Sequence, residues 1–283
     1  MTDHSSRILS IGAAGANAGM VVEALACRGA YVRGLVRHCE QRDGVIANGA
    51  REVMVGDLTE PDTLSRALDG IDAVFYIAPA FIANEACLGR RFVELARKAG
   101  VRRIVFSSVI HPEISDLANH AAKPPVEEAI LNSGLEFVFL HPAMFFQNLA
   151  GSWPQIVASG TIAEPWSATT RFSRVDYRDV AEVAAMALTE DRLLYGTYEL
   201  AAVGLHDRHD LAALIGAALG RKIAVARTDP ESLPPQMVLL KPMFAHYDHG
   251  GLLGNALTLR AILGREPRTI ADFFRELALK GEP

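Results

Sequence analysis

Residues 7–38 read RILSIGAAGANAGMVVEALACRGAYVRGLVRH: a short apolar run, a glycine-studded turn, a helix-like pattern and a second apolar run. In the turn, every position from Gly12 to Gly19 except Asn17 is glycine or alanine. A strand that passes through such a small-residue turn into a helix is typical of the first unit of a doubly wound α/β sheet.

The same alternation of strand and helix continues through the first half of the chain. Its apolar runs are short and nearly continuous, as expected of parallel strands covered on both faces. They are RILSI (7–11), YVRGLV (31–36), REVMV (51–55), DAVFYIA (72–78), RRIVFSS (102–108) and LEFVFLH (135–141). The pattern predicts an α/β fold with a Rossmann-type doubly wound parallel sheet.

The pattern changes beyond about residue 150. Residues 151–170 are rich in Gly, Ser, Thr and Pro, and we interpret them as a loop-rich region. Helices are predicted at 176–190 and at 268–279, where Thr269 and Asp272 have capping-box spacing. We therefore predict a Rossmann domain at 1–150 and a smaller α+β substrate region at 151–283, interleaved with the edge of the sheet.

The composition excludes several function classes. The 283 residues are 50% apolar and 22% charged, which is enough for a large core. A net charge of −5 without a basic cluster argues against a nucleic-acid surface. Cys27, Cys39 and Cys87 lack paired or metal-ligand spacing, and no apolar run approaches the ~18 residues that span a bilayer. With no leader-like segment at its start, the chain is expected to be cytoplasmic and to have a small-molecule partner.

The turn at 12–19 is suited to the pyrophosphate of a nucleotide. Free N–H groups at a helix N-terminus bind phosphate, and close approach requires residues with little or no side chain. Ala18 stands where a third glycine is usual, but that position serves helix-to-strand packing more than phosphate contact. The alternative is a tight turn without a ligand, which the strand–turn–helix context disfavours.

The end of the second strand indicates which dinucleotide is bound. A carboxylate there accepts hydrogen bonds from the ribose 2′-hydroxyl, whereas an arginine pairs with a 2′-phosphate. Arg37 ends this strand, with no acidic residue before Glu40, which favours NADP(H) over NAD(H) unless Arg37 is a solvated loop charge. Asp57, after the third strand, is placed either to accept from an adenine amino group or to bind N–H groups of its own turn.

An ordered set of motifs along nearly the whole chain resembles the NmrA-like family of atypical short-chain dehydrogenases. The set comprises the turn at 12–15, LVRH with Arg37, GDL with Asp57, VFYIAP (74–79), VRRIVFSSV (101–109), Lys123 with residues 126–148, VDYRDVAEVAAMAL (175–188) and GREPRTIADFFRE (264–276). The resemblance implies NADP(H) binding by the Rossmann domain and a smaller region that closes a pocket over the nicotinamide. Members include NAD(P)H-dependent quinone or azo-dye reductases and redox-sensing regulators that bind the dinucleotide without turnover.

Site residues are carried over from this resemblance by position. It assigns the pyrophosphate to Gly12, Ala14, Gly15, Ala16, Asn17 and Ala18, the 2′-phosphate to Arg37, and the adenine to Asp57 and Leu58. It implies that the ribose and the path to the nicotinamide are lined by Ile77, Ala78 and Pro79. It implies that the nicotinamide is bordered by Ser107, Ser108 and Lys123 and covered by His141, Pro142, Ala143 and Phe145.

The sequence departs from the usual catalytic motif at Lys123. Short-chain dehydrogenases use Tyr-x-x-x-Lys on one helix, where the lysine lowers the pKa of the tyrosine that moves the proton. Here the tyrosine position holds Asn119, and His120 is the nearest titratable residue. Pro124 and Pro125 follow the lysine, so we expect a helix to begin there with Lys123 at its start. Lys123 and His120 are the candidate catalytic residues.

The absence of the usual tyrosine affects which kinds of acceptor can be reduced. Carbonyl reduction requires a proton for an alkoxide, whereas quinone reduction gives a much less basic hydroquinone anion that takes its proton from water or a histidine. Hydride transfer then needs mainly proximity and orientation. The sequence favours an NADPH-dependent reductase of quinone-like or conjugated acceptors. The alternative is a non-catalytic NADP(H) sensor acting on a regulatory protein partner, and a homodimer is also compatible with the sequence.

Three further features of the sequence have more than one interpretation. The cluster His246, Tyr247, Asp248 and His249 is either a surface loop or a wall of the substrate pocket, and we predict no metal site because its close spacing is unsuitable. Met144, Phe145 and Phe146 are either core residues or a platform for the acceptor. Trp153 and Trp166, which flank the loop-rich stretch, act either as a lid or in packing.

Overall fold

The structure, a computed structural model, describes residues 6–79, 81–82, 84–233 and 240–280. Residues 1–5, part of the N-terminal stretch inspected for a leader, lie outside these ranges. The chain forms two compact units that alternate along the sequence. The first unit comprises Met1–Glu113, Ala121–His141 and Val180–Tyr198, and the second comprises Ile114–His120, Pro142–Asp179 and Glu199–Pro283.

The helices and strands follow one another in regular order. The first half of the chain contains β1 (Arg7–Ser10), α1 (Ala16–Cys27), β2 (Tyr31–Val36), α2 (Arg42–Ala47), β3 (Glu52–Val55), α3 (Pro61–Leu68), β4 (Ala73–Tyr76), α4 (Glu85–Lys98), β5 (Arg103–Ser107), α5 (Ala118–Ala121), α6 (Pro124–Leu131) and β6 (Glu136–Pro142). The second half contains β7 (Met144–Phe145), α7 (Gln147–Ser159), β8 (Thr161–Glu164), β9 (Phe172–Val175), α8 (Tyr177–Thr189), β10 (Gly196–Leu200), β11 (Leu205–His206), α9 (Arg208–Leu219), β12 (Ala224–Arg227), α10 (Lys241–Tyr247), α11 (Leu257–Leu263) and α12 (Ile270–Lys280). None of the helices in the described ranges is long and apolar enough to cross a membrane.

Within the described residues, seven strands form one sheet in the order β10-β6-β5-β4-β1-β2-β3. From β6 to β3 all neighbours are parallel, and Ile8 lies opposite Val32 on one side and Ala73 on the other. The strand order reverses at β1, because β2 and β3 extend to one side while β4, β5 and β6 extend to the other. The predicted fold class, a Rossmann-type doubly wound parallel sheet, is confirmed.

Helices α3, α4 and α6 pack on this sheet through a continuous apolar core that includes Leu64, Phe92, Val126 and residues of β1, β4 and β5. Gly89 permits the close approach of α4 and α6, since a Cβ there would lie 2.5 Å from Cγ2 of Val126. Burial of these apolar side chains supplies most of the driving force for packing the helices on the sheet.

The second unit contains two smaller sheets, in the orders β11-β9-β7 and β12-β8. Its apolar core joins α7, α9 and α12 and includes Phe146, Trp153, Ile215 and Phe274. The indole of Trp153 stacks on the Phe274 ring with centroids 5.8 Å apart, so Trp153 is a packing residue. At the start of α12 the N–H of Asp272 donates to Oγ1 of Thr269, which is one of the two hydrogen bonds of the predicted capping box.

The prediction of a loop-rich region at 151–170 is wrong for much of its length. Residues Gln147–Ser159 form α7 and Thr161–Glu164 form β8. Leu149, Trp153 and Ile156 recur at helix spacing and are buried, although Pro154 lies within the helix and the intervening residues are small and polar. Tertiary burial of this apolar face outweighs the weak helix propensity of the segment.

Candidate functional site

The predicted dinucleotide-contacting residues of the first unit follow the carboxyl ends of strands in its parallel sheet. In a doubly wound sheet these ends share one edge, and ligands bind there where the strand order reverses. The reversal lies between β1 and β4. Gly12 follows β1, Arg37 follows β2, Asp57 follows β3, and Ile77 follows β4.

The glycine turn after β1 leads directly into α1. Gly12 has a φ of +66°, a conformation that side-chain-bearing residues rarely adopt. A Cβ at Gly15 would lie 3.2 Å from the carbonyl oxygen of Gly12, so a larger residue at this point would require the turn to shift. Gly15 is the N-cap of α1 and offers no side-chain cap, and the first turn has no acidic residue. The first N–H groups of α1 are therefore left for another acceptor, in the field of the positive end of the helix dipole.

These residues line a cavity of about 420 Å³ in the first unit. The predicted residues that line it are Gly12, Ala14, Gly15, Ala16, Asn17, Ala18, Arg37, Asp57, Leu58, Ile77, Ala78 and Pro79. Sequence reasoning missed further lining residues, namely Ile11, Leu35, Val36, His38, Gln41 and Gly56. Their place in the sequence could have indicated them, because each lies within a few residues of a predicted contact.

Arg37 and Asp57 meet at the edge of the cavity. Nε of Arg37 lies 3.2 Å from Oδ2 of Asp57, and the arginine side chain is 54% exposed. Oδ1 of Asp57 accepts from the backbone N–H of Thr59 at 2.8 Å, which is one of the two roles considered for this carboxylate. That hydrogen bond, together with the Thr59 hydroxyl and the Arg37 charge, holds the pKa of Asp57 below its usual value. The adenine contact of Asp57 stays a prediction.

Gln41 holds the loop that carries Arg37. Its side-chain oxygen accepts from the backbone N–H groups of Arg37 at 3.1 Å and His38 at 3.0 Å. Arg42, the next arginine along the chain, instead donates to the carbonyl oxygen of Val53. Arg37 is therefore the arginine that this loop presents to the cavity.

A second polar group in the first unit is centred on Glu127, a residue that sequence reasoning did not single out. Oε1 of Glu127 accepts from Oγ of Ser108 at 2.5 Å and lies 2.9 Å from Nε2 of His141. Burial raises the pKa of Glu127, but the hydrogen bonds from His141 and Ser108 and the charges of His141 and Lys123 outweigh it, so the pKa is lower than usual. The carboxylate thus stays ionised, and an ionised carboxylate can only accept, so Nε2 of His141 carries the hydrogen.

Lys123 is paired with a buried carboxylate. Its Nζ donates to Oε1 of Glu85, whose side chain is 5% exposed. The predicted helix start is confirmed, since α6 begins at Pro124 with Lys123 as its N-cap. The backbone of Lys123 is helical, with a φ of −81° and a ψ of −47°, although a following proline disfavours this region. The ion pair with Glu85 and the helical turn that it anchors offset that local preference.

The other predicted site residues occupy varied environments. Ser107 ends β5 and is buried. His120 is buried on the short helix α5, in the second unit. In the same unit, Pro142 ends β6, the N–H of Ala143 donates to the carbonyl oxygen of Leu200, and the ring of Phe145 packs edge-on against Tyr177. Their contacts with a nicotinamide stay predictions.

The His246–His249 cluster does not form a set of ligands. Among the described residues, no three His, Cys, Asp or Glu side chains come together as a metal site. Tyr247 is buried against Trp166 and Phe172, with ring centroids 5.4 and 5.0 Å away. Asp248 accepts from the backbone N–H of Ser167 and pairs with Arg227. The cluster therefore ties α10 to the segment around Trp166 in the second unit.

Several known proteins are similar to this chain in sequence or in fold. An NAD(P)H azoreductase from Xenophilus azovorans is 27% identical over 94% of this chain and 96% of its own length. Quinone oxidoreductase 2 from Escherichia coli (strain K12) is 23% identical over 84% of this chain and 86% of its own. The crystal structure of the E. coli NADPH-dependent quinone oxidoreductase QOR2 complexed with NADPH shares the fold, with a TM-score of 0.84 and 22% identity over 95% of this chain and 99% of that one. The model of the NmrA-like family matches residues 4–248, and the chain belongs to that family.

Proposed function

We propose that the protein is an NADPH-dependent oxidoreductase that transfers hydride to a quinone-like or otherwise conjugated small-molecule acceptor. The observation that carries the proposal is the cavity around the glycine turn, which has a free helix N-terminus and Arg37 at its edge. An NAD(P)H azoreductase and a quinone oxidoreductase among the relatives support the choice of reaction.

The residues present fit a dinucleotide phosphate. Gly12 and Gly15 leave the space that close approach requires, and the N–H groups of the first turn of α1 donate to phosphate oxygens. Arg37 binds the 2′-phosphate, and Asp57 accepts from the adenine amino group with Leu58 against the ring. The apolar lining from Leu35, Val36 and Ile77 suits a purine face.

The polar residues around Glu127 and Lys123 serve the nicotinamide half. NADPH, when bound, supplies the hydride. Glu85 holds the Lys123 ammonium in place, and Glu127 accepts from Nε2 of His141 and so fixes the orientation of that ring. Ser107 and Ser108 border this group at the end of β5. The two carboxylates therefore fix the positions of the N–H donors of Lys123 and His141.

We propose that reduction proceeds without a tyrosine–lysine relay, because Asn119 occupies the tyrosine position. A hydroquinone anion is weakly basic, so a proton from water, His120 or His141 suffices. Lys123 then acts as a binding residue for a ribose hydroxyl. This assignment restricts the acceptors to conjugated molecules whose reduced form needs no strong acid.

The test is steady-state NADPH oxidation by the full chain with a panel of benzoquinones, naphthoquinones and azo dyes. We expect loss of absorbance at the nicotinamide band that depends on both the acceptor and the enzyme. A simple aliphatic ketone serves as the matched negative acceptor and should not be reduced. Tight NADPH binding without turnover of any acceptor would refute the reductase and favour the non-catalytic sensor.

A further inference from the structure

Four arginines in the described part of the chain are buried: Arg33, Arg103, Arg174 and Arg208. Three of them have acceptors for their guanidinium groups. Arg33 donates to Glu52 and two carbonyl oxygens, Arg103 to two carboxylates and two carbonyl oxygens, and Arg208 to Glu164 and two carbonyl oxygens. Such complete pairing is the rule, because a buried ionised group without acceptors is strongly destabilising.

Arg174, on β9 in the second unit, is the exception. It is 2% exposed, and its Nε and Nη2 atoms are buried without a hydrogen-bond partner. Oε1 of Glu164 is the nearest ion-pair atom, 3.9 Å from Nη2 and beyond hydrogen-bond range. The same Glu164 is already paired with Arg208, so two buried arginines share one carboxylate and one positive charge is left over.

The two unpartnered nitrogens lie on one edge of the guanidinium. The Nε–H and one Nη2–H bond point in parallel, which is the edge that binds two oxygens of a planar oxyanion at once. A planar oxyanion offers two acceptor oxygens at the spacing of this edge and also compensates the positive charge that Glu164 leaves over. The arrangement therefore matches a carboxylate or sulfonate better than a neutral oxygen.

One aromatic ring lies near the Arg174 guanidinium, and further rings pack on that ring. Side chains alternate along β9, so Arg174 and Phe172 project to the same face, and the guanidinium carbon lies 5.7 Å from the Phe172 centroid. Trp166 packs on Phe172 and, with centroids 5.8 Å apart, on Phe244. Tyr247 closes the group beside Phe172. Nδ1 of His206, the residue paired with Phe172 in the adjacent strand, is also buried without a partner.

We propose that Arg174 binds the carboxylate or sulfonate group of an aromatic small molecule, whose ring is recognised by the Trp166–Phe172–Tyr247 cluster. The unpartnered edge accounts for the oxyanion, and the ring cluster accounts for the aromatic part. That this molecule is the electron acceptor rests on the proposed function; the binding site itself does not.

The test uses redox-inactive probes, so that binding is measured without turnover. The probes are 2-naphthoate, naphthalene-2-sulfonate and the neutral isostere 2-naphthamide, titrated calorimetrically into the full chain. We expect both anions to bind roughly 10- to 100-fold more tightly than the amide, as a charge-assisted bidentate contact requires. Equal affinity for 2-naphthoate and 2-naphthamide in the wild type would overturn the proposal without any variant.

Substitutions test the arginine itself. Arg174→Met should remove the preference for the anions over the amide, and Arg174→Lys should retain part of it, since lysine keeps the charge but lacks the two-donor edge. Arg275→Gln, on the exposed side of α12, is the matched control and should leave all three affinities within twofold. Unchanged binding of the anions by Arg174→Met would show that the site lies elsewhere.

Thermal unfolding separates ligand binding from a structural role. A binding arginine that leaves a surplus buried charge should not be needed for folding, so Arg174→Met should melt at or above the wild-type temperature without ligand. Naphthoate should raise the melting temperature of the wild type and not of Arg174→Met. A marked loss of stability in Arg174→Met without ligand would identify a structural arginine instead. If the anions bind but no quinone is reduced, the site stands and the proposed reductase fails.

Discussion

Replacing Arg37 with glutamine should separate the two nicotinamide dinucleotides. Arg37 lines the cavity, and its side chain is half exposed with one carboxylate, Asp57, at 3.2 Å. An exposed ion pair of this kind contributes about 0.2–1 kcal/mol, so Asp57 competes only weakly for the guanidinium. A charge-assisted contact with the 2′-phosphate is worth about 1.5–3 kcal/mol. The difference is about 2 kcal/mol, or roughly a 30-fold increase in the Kd for NADPH.

The measurement is titration of NADPH and NADH by nicotinamide fluorescence at fixed ionic strength. NADH lacks the 2′-phosphate, so its affinity should change by less than about twofold, within the effect of a lost surface charge. Arg42→Gln is the control, because Arg42 bonds the carbonyl oxygen of Val53 and does not line the cavity. Equal losses for NADPH and NADH, or an equal effect of Arg42→Gln, would refute the assignment of Arg37 to the 2′-phosphate.

Two further predictions concern the first unit. The pKa of Glu127 is lowered in the fold from its ordinary value of 4.5, so its ionised form stabilises the protein above that pH and the contribution is lost as the pH falls through the folded pKa. The measurement is urea unfolding at a series of acidic pH values. Glu127→Gln should reduce the pH dependence of the free energy of unfolding by up to about 1.4 kcal/mol per pH unit, whereas the control Glu128→Gln, at an exposed position, should not. An unchanged pH dependence in Glu127→Gln would contradict the prediction. Arg103→Met should lower the free energy of unfolding by about 3–5 kcal/mol, because Glu136 and the carbonyl oxygens of Ala187 and Glu190 lose their buried donor. Arg102→Met, which removes an exposed ion pair, should lower it by less than about 1 kcal/mol. Comparable losses in the two arginine variants would show that burial of the Arg103 ion pairs is unimportant.

The roles of two acidic residues, Glu127 and Glu85, could not be predicted from a single sequence. Glu127 directly precedes a second glutamate, Glu128, so the sequence does not distinguish it from its neighbour. The helical repeat of α6 turns Glu127 toward Ser108 and His141 and leaves Glu128 exposed. Glu85 is equally unremarkable in sequence, and only its burial beside Lys123 shows that it holds the ammonium group.

The sequence by itself determined the six parallel strands of the main sheet, the glycine turn and most of the residues that line the cavity. Those features depend on residues that are close together in the sequence: the apolar pattern of a strand, the small residues of a turn and the position of a residue at a strand end. Only the tertiary structure decided that α7 is a helix, because its apolar face is stabilised by distant α9 and α12. The same holds for Arg174, which in sequence is one charged residue in FSRV. Its two unpartnered nitrogens, and the packing of Trp166, His206 and Tyr247 around the neighbouring Phe172, arise between segments far apart in the chain, which local sequence patterns do not encode.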